Sequence, residues 1–209
     1  MKKMLNGAWL FKQSTENHWS KATVPGCNFL DLMANGVIDD PFLKLNEKDV
    51  EWVGKADFEY KRTFDVSSGE LSANRVLLCA NMLDTVCDIF VNGKFVASSD
   101  NCFVKFEFDV KEFLVDGENE LLIYFHSPVN WVKDKYKACI TPMNSNGQNG
   151  IVHIRKPQCH FGWDWGPVLP CSGISDDIYL EFVNEGRIDD FSVSQVCNIT
   201  DATVDAKID

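Results

Sequence analysis

Period-two alternation of apolar and polar residues runs through the middle of this 209-residue chain and constrains its fold more than any other feature. Between residues 103 and 110, Val104, Phe106, Phe108 and Val110 alternate with Lys105, Glu107 and Asp109. Successive side chains on an extended strand point to opposite faces, so this pattern makes a strand with one wet face and one face turned to a core. Residues 58–65 repeat it, with Phe58, Tyr60 and Phe64 on one face and Glu59, Lys61, Thr63 and Asp65 on the other. Residues 75–80, 85–91, 120–126 and 177–183 add β-rich runs of ordinary strand length. Asn92-Gly93 supplies the positive φ angles of a tight hairpin turn, and Asp116-Gly117 marks a second turn. Helical signals are few: residues 28–34, stopped by Gly36, and one turn capped by Asp109 that runs to Val115. Many short strands with almost no long helix predict an all-β chain built as an antiparallel β-sandwich. Periodicity alone leaves jelly-roll and immunoglobulin-like connections both open.

Two segments break the pattern. Residues 127–150 read as a long polar insertion whose end, with Asn144, Asn146, Gly147, Asn149 and Gly150, is too rich in Asn and Gly for a regular element. A loop of that length is either functional or disordered. Asn184-Glu185-Gly186 then forms a polar hinge, followed by alternating runs over residues 188–196 and 202–208. The expected organisation is therefore a sandwich domain over residues 1–184 and, over residues 185–209, the first strands of a second β domain that the chain does not complete. The length also falls short of a sandwich plus a (β/α)₈ barrel, which alone takes about 250 residues.

Charge and cysteine usage narrow the partners. Twenty basic against 31 acidic residues leave a formal net charge of −11, a field that repels phosphate backbones and anionic lipid headgroups. Neither nucleic acid nor a membrane is expected as a partner. The N-terminus carries Lys2 and Lys3 but no apolar stretch behind them, so it does not read as a secretory signal, and a cytoplasmic location is expected. The eight cysteines, at 27, 79, 87, 102, 139, 159, 171 and 197, contain no CxxC pair and read as small buried hydrophobes in a reducing compartment. None of the four histidines pairs with a cysteine at metal-ligand spacing, so neither a metal nor another cofactor is expected.

Chemistry concentrates in one stretch, Arg155-Lys156-Pro157-Gln158-Cys159-His160-Phe161-Gly162-Trp163-Asp164-Trp165-Gly166-Pro167. Two indoles offer flat apolar faces on which the C–H face of a pyranose stacks. The carboxylate between them accepts hydrogen bonds from vicinal hydroxyls, and the flanking glycines permit a sharp turn. From composition alone this is either a sugar-binding loop or a pair of core tryptophans around a turn-capping Asp164. A second cluster comprises Pro25-Gly26, Asp40-Pro41, Asn46-Glu47 and Trp52; Asn46 and Glu47 donate and accept, and Trp52 offers another stacking surface. By itself such a Pro-flanked loop is usually solvated surface.

Taken in order, Trp9, Ala22-Thr23-Val24-Pro25-Gly26, Asp40-Pro41-Phe42, Asn46-Glu47, Trp52-Val53, Tyr60, Val91-Asn92-Gly93, residues 117–121 and the Trp-Asp-Trp-Gly-Pro segment resemble the N-terminal domain of glycoside hydrolase family 2 β-mannosidases. The resemblance covers residues 5–183, and Trp163-Asp164-Trp165-Gly166-Pro167 is its most specific part; residues 127–150 match none of its motifs. It implies a jelly-roll, galactose-binding-like β-sandwich, followed in the parent enzymes by an immunoglobulin-like domain and a barrel that carries the two catalytic glutamates. It implies that Asp164 binds hydroxyls of a terminal β-mannoside, with Trp163 or Trp165 as an apolar wall. Arg155 is then expected to orient Asp164 through a charge-assisted bond, Asn46 or Glu47 to reach the same pocket, and His160 to pack under the loop as a structural histidine.

Retaining glycoside hydrolysis needs two carboxyls about 5–5.5 Å apart. The adjacent pairs Asp39-Asp40, Asp176-Asp177 and Asp189-Asp190 read as solvated charges rather than such a dyad, because neighbours on a strand point to opposite faces. No catalytic residue is therefore assigned, and the chain alone is expected not to hydrolyse glycosides. The expectation is a substrate-binding domain whose immunoglobulin-like and barrel partners lie elsewhere in the parent protein. A free-standing carbohydrate-binding module and a structural β-sandwich that mediates assembly are the alternatives.

Overall fold

The structure is a computed structural model, and it describes residues 1–142, 148–188, 191–197 and 200–208. In chain order the strands are β1 (Lys2–Met4), β2 (Gly7–Gln13), β3 (Ser20–Val24), β4 (Phe58–Val66), β5 (Arg75–Ala80), β6 (Leu83–Asp84), β7 (Cys87–Val91), β8 (Lys94–Ser99), β9 (Phe106–Asp109), β10 (Gly117–Phe125), β11 (Gly173–Ile174), β12 (Ile178–Val183), β13 (Phe191–Cys197) and β14 (Ala202–Ile208). The α-helices are α1 (Asn28–Ala34), α2 (Asn46–Asp49), α3 (Ser68–Leu71) and α4 (Pro128–Ala138).

The alternation does what its period requires. A six-stranded antiparallel sheet in the order β3-β2-β4-β10-β7-β8 faces a four-stranded sheet in the order β1-β12-β5-β9. β4 and β10 pair without interruption from Val66↔Gly117 to Phe58↔Phe125. That register puts Phe58, Tyr60 and Phe64 on the same inner face as Leu121, Ile123 and Phe125. Val76, Leu78, Ala80, Leu180 and Phe182 close the core from the opposite sheet. Tyr60 sits between Phe11 at 5.6 Å and Phe125, edge-on at 5.7 Å, aromatic contacts worth about 0.5–1.5 kcal/mol each beyond their buried area. Asn92 and Gly93 take φ of 51° and 73° at the β7–β8 turn, as that dipeptide predicts. The Asn92 amide also donates to the Phe113 carbonyl and to Asn119 Oδ1, tying the hairpin to the turn before β10.

Three differences from the sequence reading have local causes. Residues 127–142 are not a polar loop, because α4 occupies most of them. Ser127 Oγ accepts from the Asn130 N–H and caps the helix, Pro128 sits at its first turn, and Val129 and Val132 face inward against Ile151, Ile154, Phe161 and Val86. Pro at the first helical turn and two apolar residues three apart are a helix start, masked in the sequence by Lys133, Lys135 and Lys137 on the wet side. Residues 143–147 of the Asn-rich stretch lie outside the described residues. β9 begins at Phe106 rather than at 103, because the preceding backbone turns to pair with the Trp-Asp-Trp segment's stem, where the Cys102 N–H donates to the Arg155 carbonyl at 3.0 Å. β7 begins at Cys87 rather than at 85, because residues 83–84 pair instead with β11.

Beyond β12 the chain makes a two-stranded ribbon in which β13 and β14 pair from Phe191↔Ile208 to Cys197↔Ala202. Phe191, Val193 and Val196 are all exposed on it. Arg187 links the approach to this ribbon back to the sandwich through Glu181, at 3.0 Å, and Glu107. The acidic pair at 189–190 lies outside the described residues.

Candidate functional site

The Trp-Asp-Trp segment projects from a buried stem. Ile154, Lys156 and Phe161 are buried, and Gly162 then turns at φ 112°, in the region only glycine enters freely. Residues 163–166 form a tight reversal closed by the Gly166 N–H and the Trp163 carbonyl at 3.4 Å. At its tip Asp164 is exposed, and Trp163 and Trp165 stand 43% and 72% exposed. Of the two readings left open by composition, the core-tryptophan one is excluded: both indoles and the carboxylate face solvent.

What holds the stem is a polar cluster that sequence reasoning missed. Lys156 Nζ lies 2.5 Å from Asp84 Oδ2, with side chains 0% and 5% exposed. Asp84 sits on β6, which pairs with Gly173 on β11, so the ion pair fastens the stem to the return strand beyond the loop. Thr85 Oγ1 donates to the other Asp84 oxygen, and the Cys171 thiol lies 3.4 Å from Oδ2. The only sequence signal for this was a single acid, Asp84, in an otherwise apolar run. Its partner 72 residues away has no local signature.

Around the same cluster, His160 Nδ1 is 3.7 Å from Cys171 Sγ, which is in turn hydrogen-bonded to the Cys27 thiol. That bond from Cys171 brings the Cys27 pKa down to about 7, against the opposing effect of burial. His160 thus packs under the loop. His160 and Cys171, 11 positions apart in sequence, meet because the chain between them folds back through the Trp163–Gly166 turn.

Cys27, Cys171, His160 and Trp165 line one open cleft of about 570 Å³, together with Phe29, Leu30 and Met33 of α1 and Pro41-Phe42. Its apolar wall depends on α1. Asp31 of that helix is buried, accepts from the Thr23 N–H at 2.9 Å and the Tyr60 hydroxyl at 2.8 Å, and has its pKa raised chiefly by burial. These bonds seat α1 on the core, and Leu30 on its other side is left 56% exposed.

The remaining expected residues are placed apart from the loop tip. Asn46 starts α2, donates to the Asp40 carbonyl at 2.9 Å, and lines a shallow cleft of about 190 Å³ with Asp49 and Trp52. Glu47 is half-buried on the same short helix. Trp52 packs on Phe58 at 6.5 Å rather than beside Trp165. From that segment it is Pro41-Phe42 that reaches the Trp165 cleft. Among the described residues no bond or ion pair joins Arg155 to Asp164. Arg155 is exposed and lines a different cleft with Asp100, Trp131 and Lys135, because extended backbone turns its side chain away from that of buried Lys156.

A family model, the glycosyl hydrolase 2 galactose-binding domain-like domain, matches residues 9–176. The chain is 30% identical over 193 residues to a β-mannosidase of Rattus norvegicus, which covers 88% of this chain and 22% of that protein. It is 34% identical over 194 residues to β-mannosidase B of Emericella nidulans, covering 90% of this chain and 23% of the relative. The crystal structure of a β-D-mannosidase from Dictyoglomus thermophilum superposes with a TM-score of 0.96 at 38% identity, over all of this chain and 26% of that one. A β-D-glucuronidase from the same organism, at TM-score 0.64 and 19% identity, shares the fold. The chain thus spans roughly a quarter or less of the length of these relatives. With a family match running from Trp9 through the return strand beyond the Trp-Asp-Trp turn, this chain belongs to the glycosyl hydrolase 2 galactose-binding domain-like family.

Proposed function

We propose that this chain is the N-terminal, substrate-contacting domain of a retaining β-mannosidase, and that it grips the terminal β-mannoside through the Trp163-Asp164-Trp165 tip. The observation that carries the reading is the solvent-facing carboxylate between two exposed indoles on a buried, ion-paired stem. Such a carboxylate accepts two charge-assisted hydrogen bonds from sugar hydroxyls, worth about 1.5–3 kcal/mol each, while an indole face covers the apolar side of the ring. Asn46, Glu47 and Trp52 are outer contacts in this reading, and Arg155 a positive charge beside the stem.

The catalytic carboxyls are assigned to a barrel in the parent protein. One described pair of carboxylates, Glu107 and Glu181, is bridged by Arg187 and faces no cleft lined by Trp165. Residues 185–209 belong, in this reading, to the start of an immunoglobulin-like domain, and the two-sheet core to a jelly roll. Phe42 and Leu30 stand 71% and 56% exposed along the Trp165 cleft, which favours a covering domain over a free-standing module. A cytoplasmic location fits eight unpaired thiols, and among the described residues no helix is long and apolar enough to cross a membrane.

The reading is tested by following the indole N–H resonances of the chain during titration with mannose. Trp9, whose indole donates to the Leu5 carbonyl at 2.7 Å in the core, is the internal control. Weak shifts confined to Trp163 and Trp165 and lost in Asp164→Ala support it. Unmoved Trp163 and Trp165 resonances at saturating mannose would count against it.

A further inference from the structure

We propose that Arg155, Lys135, Trp131 and Asp100 form a second carbohydrate site, which takes one acidic sugar of the hexuronate class by its carboxylate. Three segments build it. The loop stem is bridged to residues 101–102, with Asn101 paired to Arg155 and the Cys102 N–H donating to the Arg155 carbonyl at 3.0 Å, and this sets Asp100 beside Arg155. Trp131 and Lys135 stand four residues apart on α4, so both present to the same side of the helix. Lys135 Nζ lies 4.7 Å over the Trp131 ring, which holds the ammonium in place rather than leaving it free to swing. His153 closes the floor, fixed through its Nε2 and the Cys139 carbonyl at 2.9 Å. The resulting cleft of about 240 Å³ shares no lining residue with the Trp165 cleft. It falls below the roughly 300–1,000 Å³ of a drug-sized pocket, which limits its occupant to a single sugar ring.

The chemistry of the wall selects the ligand. Among the described residues neither Arg155 nor Lys135 has an ion-pair partner, so two positive charges face this cleft uncompensated in a chain of net charge −11. A guanidinium offers a planar fork that matches a carboxylate with two parallel hydrogen bonds, and the ammonium adds a point charge. Screening confines the effect of distant charges to about 8 Å at physiological salt, so these two neighbours outweigh the acidic surface elsewhere. Asp100, also without an ion-pair partner among the described residues, repels a bare multivalent anion but accepts hydrogen bonds from hydroxyls. Trp131 and Val152 supply an apolar wall. One carboxylate, several hydroxyls and an apolar ring face together describe a sugar acid. The site goes beyond the mannoside reading and does not depend on it.

The test follows the indole N–H resonance of Trp131 while the chain is titrated at fixed ionic strength with D-glucuronate, and separately with D-glucose, acetate and inorganic phosphate. Glucuronate should move the resonance saturably, and each of the other three should bind at least about tenfold more weakly. Arg155→Ala should weaken glucuronate binding at least about tenfold, the loss expected for hydrogen bonds to a charged group. Arg155→Lys keeps the charge without the fork and should weaken it severalfold, which supplies a second reading if the alanine variant folds poorly. Glucose binding as tightly as glucuronate would remove the carboxylate from the account. Acetate or phosphate binding as tightly would leave an adventitious ion only. Glucuronate that moves Trp163 and Trp165 but not Trp131, or parental affinity in both Arg155 variants, would also overturn the assignment. Because the readout is Trp131, its failure is distinct from a failure of the mannose titration at Trp163 and Trp165.

Discussion

Replacing Lys156 by Met asks how much of the loop's placement rests on one buried charge pair. The ammonium lies 2.5 Å from Asp84 Oδ2, and neither side chain is more than 5% exposed. Methionine keeps the apolar stem but leaves the Asp84 carboxylate with only Thr85 and the Cys171 thiol as partners. Removing one member of such a pair costs about 3–5 kcal/mol, because the surviving charge stays buried without compensation. For a chain of this length each kcal/mol lowers the melting temperature by about 2–4 °C, so Lys156→Met should melt about 6–20 °C below the parent. Urea unfolding followed by tryptophan fluorescence, with calorimetry at the same pH, measures both quantities. The double variant Lys156→Met/Asp84→Leu removes the orphaned charge as well and should recover at least about 1 kcal/mol relative to Lys156→Met. A single variant within about 1 kcal/mol of the parent, or a double variant equal to the sum of the singles, would refute the claim that this pair anchors the loop.

Asp31→Asn should gain stability on the parent as pH rises from about 4 to 7. Burial raises the Asp31 pKa in the folded chain, so its stabilising share is full below the unfolded value and is lost as pH climbs through the folded one; a flat difference across that range in denaturant melts would contradict this. Cys27 alkylation in metal-free buffer should reach half its limiting rate near pH 7, whereas buried Cys87 should stay unmodified until the chain unfolds; peptide mapping over a pH series reads both. Gly150→Ala should destabilise by about 2 kcal/mol or more, since φ of 90° disfavours any side chain by about 1–2 kcal/mol and an added Cβ would sit 2.6 Å from the Val132 carbonyl oxygen of α4. Calorimetry would show it, and a melting temperature unchanged from the parent would mean that α4 shifts freely.

What the sequence made legible was whatever local chemistry determines. Two-residue alternation and β-rich runs located β4, β5, β12 and β14 within a residue or two, β10 starts three residues earlier than its run at Glu120, and Asn92-Gly93 marked its hairpin, since these signals act between neighbours. Asn28–Ala34 was likewise readable as a short helix ended before Gly36. α4 escaped because its buried side is Pro128, Val129, Val132 and part of Trp131, a stripe too narrow to stand out from its lysines. At the site, the Trp-Asp-Trp tip was visible because glycines and indoles in one short run leave few alternatives. The stem was not, because Lys156 meets Asp84, and Cys171 meets Cys27, only after distant strands have paired. The proposed bond from Arg155 to Asp164 failed on strand geometry: beside a buried Lys156, the preceding side chain points to the other face.

The central claim is that Asp164 holds the terminal mannose for a reaction completed on another domain. The most direct measurement is kcat/KM for an aryl β-D-mannoside with the full-length gene product carrying Asp164→Ala, at unchanged melting temperature. Loss of two charge-assisted bonds at about 1.5–3 kcal/mol each predicts a fall of at least about a hundredfold. A value within twofold of the parent would contradict the account.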